Sequence, residues 1–239
     1  MLFTSEEERQ LARGVFAGPV YKETVVAYGT AEPPPPSQVQ RDAFRALLPG
    51  LGNRSYLLFL SRIHEKKGCD LLVSAFANIA QHYPDVDLVI AGPDQVGLKA
   101  RLQEQAKAAG IADRIHWPGM LKGDAKWGAF HDAEAFILPS HSENFGIVVA
   151  EAMACQTPVL ISNKINIWRE VEASGGGFVE DDTLDGTSRL LERWLALGPS
   201  EKAAMAGSAK EGFERNFHVA AAGRDLENAL LIAANGGSK

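Results

Sequence analysis

The alternation of apolar and polar positions divides this chain into two kinds of segment. Short, nearly continuous apolar runs occur at residues 56–60, 86–91, 114–117, 135–138, 158–161 and 177–179. Runs of that length without a period-two alternation are the pattern of strands buried on both faces. Between them, residues 69–82, 97–109, 123–131, 145–154 and 165–172 carry apolar side chains at three- and four-residue spacing, the period of a helix with one buried face. Strand, helix, strand in repeated succession predicts right-handed crossovers and a parallel sheet covered on both sides. Beyond residue 179 the pattern turns helical over 184–197, 200–213 and 217–234, punctuated by Gly198-Pro199 and Asn216.

The predicted fold class is therefore α/β, a Rossmann-like parallel sheet of about six strands with helices on both faces and a helical C-terminus. The run Glu32-Pro33-Pro34-Pro35-Pro36-Ser37 cannot sit inside a helix or a central strand and predicts a stiff polyproline linker. Ahead of it, residues 5–16 read as an acidic amphipathic helix, with Ser5 and Glu8 spaced as a capping box, and Thr24-Val25-Val26 as a short strand. That stretch is too short to be a domain of its own. A further helical patch is expected at 41–48.

Composition narrows the function. The 239 residues carry 24 Lys plus Arg against 30 Asp plus Glu, a net charge of −6, and no basic stripe of the kind that tracks a nucleic-acid backbone. No apolar run approaches the ~20 residues that span a bilayer, and the first ten residues are acidic, unlike a signal peptide. Cys69 and Cys155 have neither a CxxC spacing nor a Cys/His partner, so neither a disulfide framework nor a zinc site is expected. These features point to a cytoplasmic protein that handles a small molecule.

In a parallel sheet of this kind, ligands bind outside the carboxyl ends of the strands. The loop after the first run, Ser61-Arg62-Ile63-His64-Glu65-Lys66-Lys67-Gly68, brings two cations and a helix N-terminus to that edge, a setting for a phosphate or diphosphate or, equally, a solvated charged turn. The glycine-rich loop of dinucleotide binders is absent. The loop after the fourth run places Glu143 at a helix entrance, where a carboxylate can act as a cap, and Glu151 within a nearly apolar helix, where an unpaired acid is costly and a partner is expected. On one continuous helix the two would stand about 12 Å apart along the axis, beyond the roughly 5–9.5 Å of paired glycosidase carboxylates. That suits gripping the two ends of an elongated ligand better than attacking one bond. Between the acids, the backbone N–H groups of Phe145, Gly146 and Ile147 can face an anion. His64 and His141 lie in the same loops and read as ordinary loop histidines, the four tryptophans as packing residues, and Lys126 and Asp94 lie near the edge with no assigned role.

The set Arg62-x4-Lys67-Gly68, Ala91-Gly92-Pro93-Asp94, Pro118-Gly119-Met120-Leu121, Pro139-Ser140 and Glu143-x7-Glu151-Ala152-Met153-Ala154, followed by Pro158-Val159, closely resembles the donor-binding domain of retaining glycosyltransferases of family 4, or group 1, with the GT-B fold. The resemblance runs from about Leu57 to Val179. Ser61 departs from a frequent glycine, and Asn144 from a frequent small residue. The resemblance implies transfer of a sugar from a nucleoside diphosphate sugar with retention, without a metal or other cofactor. It implies catalytic roles for Arg62 and Lys67, which would neutralise the departing diphosphate, and for Glu143, which would face the donor hexose. Glu151 would hold the ribose hydroxyls, the backbone of Phe145, Gly146 and Ile147 would contact the sugar and phosphate, Asn144 would stand among the donor-binding residues, and Leu121, following Gly119, would meet the base through its main chain. Residues 1–36 would then be the tail of an N-terminal acceptor domain plus linker, 37–215 the donor-binding domain, and 216–239 a helix that packs back on the acceptor domain. The implied partners are that missing domain and an acceptor that is a sugar, a lipid-linked sugar or a small molecule. This implies a place in the cytoplasm, with a peripheral position at the inner face of the membrane left open for the full-length protein. Two further readings stand beside this one: a nucleotide-sugar binding module that is inactive without its acceptor half, and a nucleotide-sugar epimerase or phosphorylase of related architecture, which the pairing of Arg62/Lys67 with Glu143/Glu151 disfavours.

Overall fold

The structure, a computed structural model, describes residues 1–15 and 22–236. Its centre is a six-stranded, wholly parallel sheet formed by β3 (Ser55–Leu60), β4 (Val86–Ala91), β5 (Ile115–Gly119), β6 (Ala135–Leu138), β7 (Val159–Ser162) and β8 (Gly177–Glu180) in the order β5-β4-β3-β6-β7-β8. These are the six apolar runs, shifted at their ends by no more than two residues. The four central strands are almost wholly apolar, Asp87 of β4 being the charged exception, because helices cover both of their faces, while the edge strands β5 and β8 are largely half-buried.

The covering helices are α2 (Gln38–Arg45), α3 (Cys69–Ile79), α4 (Leu98–Ala108), α5 (Gly123–His131), α6 (Ile147–Ala154), α7 (Trp168–Ser174), α8 (Leu184–Leu195) and α9 (Pro199–Asn216). On one side α3 packs on α4 and α8; on the other α2 packs on α5, and α6 and α7 on α9. Helix boundaries moved where chemistry beyond the apolar period decided them. α2 starts three residues earlier than its pattern because Ser37 and Gln40 form a reciprocal capping box, and it stops at Arg45, short of Pro49. α7 starts at Trp168, later than expected, because Ile165 is held in an extended bridge opposite Glu143.

Ahead of the sheet, β1 (Leu2–Phe3) and β2 (Thr24–Val25) form a separate two-stranded parallel ladder on either side of α1 (Glu6–Val15). The end of the expected 5–16 helix, Phe16, lies outside the described residues. Only half of the expected capping box forms there. Ser5 Oγ accepts the Glu8 N–H at 3.1 Å, but the Glu8 carboxylate turns to the Thr4 N–H and hydroxyl, both at 2.6 Å. The polyproline run forms neither helix nor strand, and Pro34 offers its carbonyl to His131 Nε2 at 3.1 Å. The last helix, α10 (Val219–Gly236), begins where Thr30 and His218 bridge the two ends of the chain.

Cys69 and Cys155 are both free and buried, and burial pushes each thiol up to about 12. Neither has appreciable thiolate at pH 8 in the folded chain, and thiolate is the reactive form. A disulfide-exchange reagent at pH 8 is therefore expected to label neither cysteine in the native protein and both in denaturant. Stoichiometric labelling of the native chain would contradict this burial.

Candidate functional site

The strand order reverses between β3 and β6, and the crevice at the carboxyl end of such a reversal is where doubly wound sheets hold ligands. The loops after these two strands are the ones the sequence singled out, and they are stitched together. The Lys66 carbonyl accepts both the His141 N–H, at 2.9 Å, and the Ser140 hydroxyl, at 2.8 Å. One residue on, Lys67, a residue 7% exposed, pairs through its ammonium with the Glu143 carboxylate across the crevice. Lys67 is aimed there by a single 3-10 turn, Glu65–Lys67, capped by His64, whose Nδ1 accepts the Lys66 N–H at 3.1 Å.

Two glycines set the approach. Gly68 adopts φ 67°, and a Cβ on it would collide with the Pro139 carbonyl oxygen of the facing loop. Gly146 adopts φ 74° and starts α6. Neither α3, which follows Gly68, nor α6 has a side-chain cap, so the N–H groups and positive dipole ends of two helices face the crevice between the loops. Arg62 lies exposed at the end of β3 and makes no ion pair with the described residues. Two cations and two uncapped helix starts at one mouth suit a diphosphate.

The two acids are held on opposite flanks. Glu143 does not cap α6. It lies in extended backbone ahead of the helix, where its N–H reaches the Lys164 carbonyl and its carbonyl accepts the Asn166 N–H, both at 3.0 Å. Glu151, inside α6, has the partner its burial demands: Lys126 Nζ of α5 stands 2.7 Å from Oε1, and the same ammonium lies 4.5 Å from the centre of the Trp127 ring. The separation estimated for one continuous helix therefore does not apply, since the helix starts only at Ile147.

The remaining expected residues divide in the same way. Asn144 is exposed beside Glu143, its Oδ1 accepting from Asn166 Nδ2 at 3.3 Å, and the Ile147 side chain is exposed at the start of α6. The Phe145 side chain is buried at 4% exposure, edge-on to Tyr28 at 5.4 Å and Phe217 at 5.7 Å. It anchors the loop between the two ends of the chain, which leaves only its backbone for a ligand. Gly119 closes β5 with φ 77°, its carbonyl accepting the Gly92 N–H at 2.8 Å, and Leu121 beyond it is buried. These two lie on the far flank of the edge, beyond β4. Sequence reasoning placed Lys126 near the edge without a role, and missed Asn166 and the pairing of His141 Nδ1 with Asp182 Oδ2 at 2.8 Å. The demand of Glu151 for a counter-charge was the available signal for Lys126. Among the described residues no three His, Cys, Asp or Glu side chains gather as metal ligands, and no helix is long and apolar enough to cross a membrane.

The sequence profile described as "Glycosyl transferases group 1" matches residues 41–211, the sheet and its helices. The chain belongs to the group 1 glycosyltransferases. A D-inositol 3-phosphate glycosyltransferase of Rhodococcus opacus (strain B4) is 34% identical over 222 residues, 90% of this chain and 48% of that protein. Another of the same description, from Actinosynnema mirum, is 32% identical over 173 residues, 67% of this chain and 40% of that one. The chain thus spans about half the length, or less, of the curated group 1 relatives it matches. Among solved structures, a glycosyltransferase from Rickettsia africae ESF-5 superimposes with a TM-score of 0.81 at 16% identity, covering all of this chain and 64% of that one. Anabaena HepE, solved in complex with UDP and glucose, gives a TM-score of 0.76 at 20% identity, covering 96% of this chain and 62% of that one. At those identities the likeness is one of fold, the GT-B type of Rossmann-like half.

Proposed function

We propose that this chain is the donor-binding half of a retaining, metal-independent group 1 glycosyltransferase that holds a nucleoside diphosphate sugar at the β3/β6 crevice. The observation that carries the reading is the Lys67–Glu143 pair, which joins the two loops of the sheet reversal between two uncapped helix N-termini. Group 1 membership and the UDP and glucose bound to the HepE relative support it. In this reading Lys67 and the unpaired Arg62 meet the diphosphate, Glu151 the ribose, the Gly119–Leu121 backbone the base, and Glu143 the sugar. Residues 37–215 form the donor unit, and the flanking segments belong with an acceptor half.

Glycosyl transfer develops positive charge on the sugar and negative charge on the departing diphosphate. Fixed positive groups at the leaving group and a carboxylate at the sugar therefore favour the transition state over the ground state. No enzyme nucleophile is assigned. Helix N–H groups and ammonium ions also need no reorganisation as charge moves onto the leaving group.

The test is a thermal-shift screen of the purified chain against UDP, GDP, ADP and their sugars. A ligand at a hundred times its Kd stabilises the folded state by about 2.7 kcal/mol, roughly 5–10 °C in a chain of this size. Glu151→Ala is expected to weaken binding of the stabilising nucleotide about 10- to 100-fold by loss of charge-assisted hydrogen bonds to the ribose, while leaving the unliganded chain folded. If no nucleotide or sugar nucleotide moves the melting temperature, the reading fails.

A further inference from the structure

We infer that Asn166, together with Asn144, forms the subsite that reads the hydroxyl pattern of the donor's sugar; the inference rests on the diphosphate reading above. The two acids orient the ligand. Glu151 is tied to Lys126 of α5, whereas Glu143 is tied to the loop after β7, so a ligand whose diphosphate sits at Lys67 has its two ends on opposite flanks. The end beside Glu143 meets the segment Ile165-Asn166-Ile167.

That segment is built to present one side chain. Ile165 and Ile167 are fully buried, and between them Asn166 is half-exposed, its backbone N–H bound to the Glu143 carbonyl at 3.0 Å. Its Nδ2 donates to Asn144 Oδ1 at 3.3 Å. This contact holds the two amides side by side. It leaves each amide with unused hydrogen-bonding groups, both N–H donors and a carbonyl acceptor between them, beside a Glu143 carboxylate whose Oε2 is engaged by Lys67. A sugar hydroxyl both donates and accepts, so fixed donors and acceptors side by side distinguish one arrangement of neighbouring hydroxyls from its epimer. An apolar or glycine pair at these positions would hold the loops but would not make that distinction.

The experiment is calorimetric titration of the wild type, Asn166→Ala and Asn144→Ala with UDP, GDP and ADP, and then with the epimer pairs UDP-glucose/UDP-galactose and GDP-mannose/GDP-glucose. In both variants the affinity for the parent nucleoside diphosphate is expected to stay within twofold of wild type, which also reports an intact fold. Affinity for the preferred sugar nucleotide is expected to fall about tenfold, and the preference between epimers to shrink with it. A wild-type chain indifferent to the epimer, or variants with unchanged sugar-nucleotide affinity and epimer preference, overturns the role of the amides and leaves the diphosphate site standing. A wild-type chain that binds none of the three nucleoside diphosphates overturns the diphosphate reading itself, and this inference with it.

Discussion

Lys67→Met is expected to weaken nucleoside diphosphate binding by about 2–3 kcal/mol, roughly 30- to 150-fold, while leaving a folded chain. The ammonium is nearly buried, on a turn between two helix N-termini, so removing it deletes a positive charge at a place where little water can replace it. The stability cost is expected to be smaller, about 1 kcal/mol, because the Glu143 side chain remains 25% exposed and can be solvated. Losing Lys67 also removes the cost of keeping an ammonium out of water. The double variant Lys67→Met/Glu143→Gln separates the two effects: it removes the stranded carboxylate and should recover the melting temperature without recovering nucleotide affinity. Calorimetry and thermal melts of the four proteins of this cycle check the prediction. Equal nucleotide affinity in wild type and Lys67→Met would remove Lys67 from the binding site.

The largest loss of stability is expected far from the crevice, at Asp87. This carboxylate sits near the start of β4, at the opposite end of the sheet, and is 1% exposed. It is surrounded by bases: Arg54 Nε at 2.9 Å and Arg114 Nε at 2.6 Å share Oδ1, and His116 Nε2 lies 2.8 Å from Oδ2. Arg114 continues the network to the carbonyls of Tyr83, at 2.8 Å, and Ala80, at 3.3 Å. Asp87→Ala strands these bases around an empty acceptor position. The expected cost is about 3 kcal/mol, a fall of roughly 6–12 °C in melting temperature, toward the low end for a broken buried ion pair because the arginines keep some contact with water.

The same network sets an acid limb. Burial opposes the charged form of Asp87, but hydrogen bonds from His116, Arg54 and Arg114 outweigh it and hold the carboxyl below its ordinary range. A carboxyl lowered in the folded state contributes stability that is present above the unfolded value of about 3.9 and is lost as the pH falls below it toward the folded value. Wild type should therefore lose stability more steeply than Asp87→Ala below about pH 4, and urea melts between pH 2 and 6 should converge at the acid end. Parallel curves for the two proteins would exclude this role.

Much of this protein is legible in its sequence because the deciding physics is local. A strand buried on both faces must be apolar throughout, and a covering helix must be apolar on one stripe, so the six runs and most of the helices between them stand out without any knowledge of the fold. The loops at the sheet reversal are legible for a related reason. Glu151 is conspicuous because an unpaired acid inside a nearly apolar helix is costly, and Arg62, Lys67 and Glu143 because they fall in the loops at the carboxyl edge where such sheets hold ligands.

Other features depend on residues brought together from distant parts of the chain, and no local pattern encodes them. Asp87 reads as a blemish in an apolar run until Arg54, Arg114 and His116 are seen to converge on it. Phe145 lies between two site residues in sequence, yet its ring packs on Tyr28 and Phe217, near opposite ends of the chain. The pairing of Glu143 with Lys67, of Glu151 with Lys126, and of Asn144 with Asn166 depends on how strands of one sheet are ordered. Sequence alone determined an α/β chain with charged residues in the loops at the carboxyl edge of its sheet, because hydrophobic period and isolated charge are properties of short segments. Which charges meet, and which flank of the crevice each acid faces, was decided only in the tertiary structure, because ion pairs and hydrogen bonds act over a few ångströms whatever the separation along the chain.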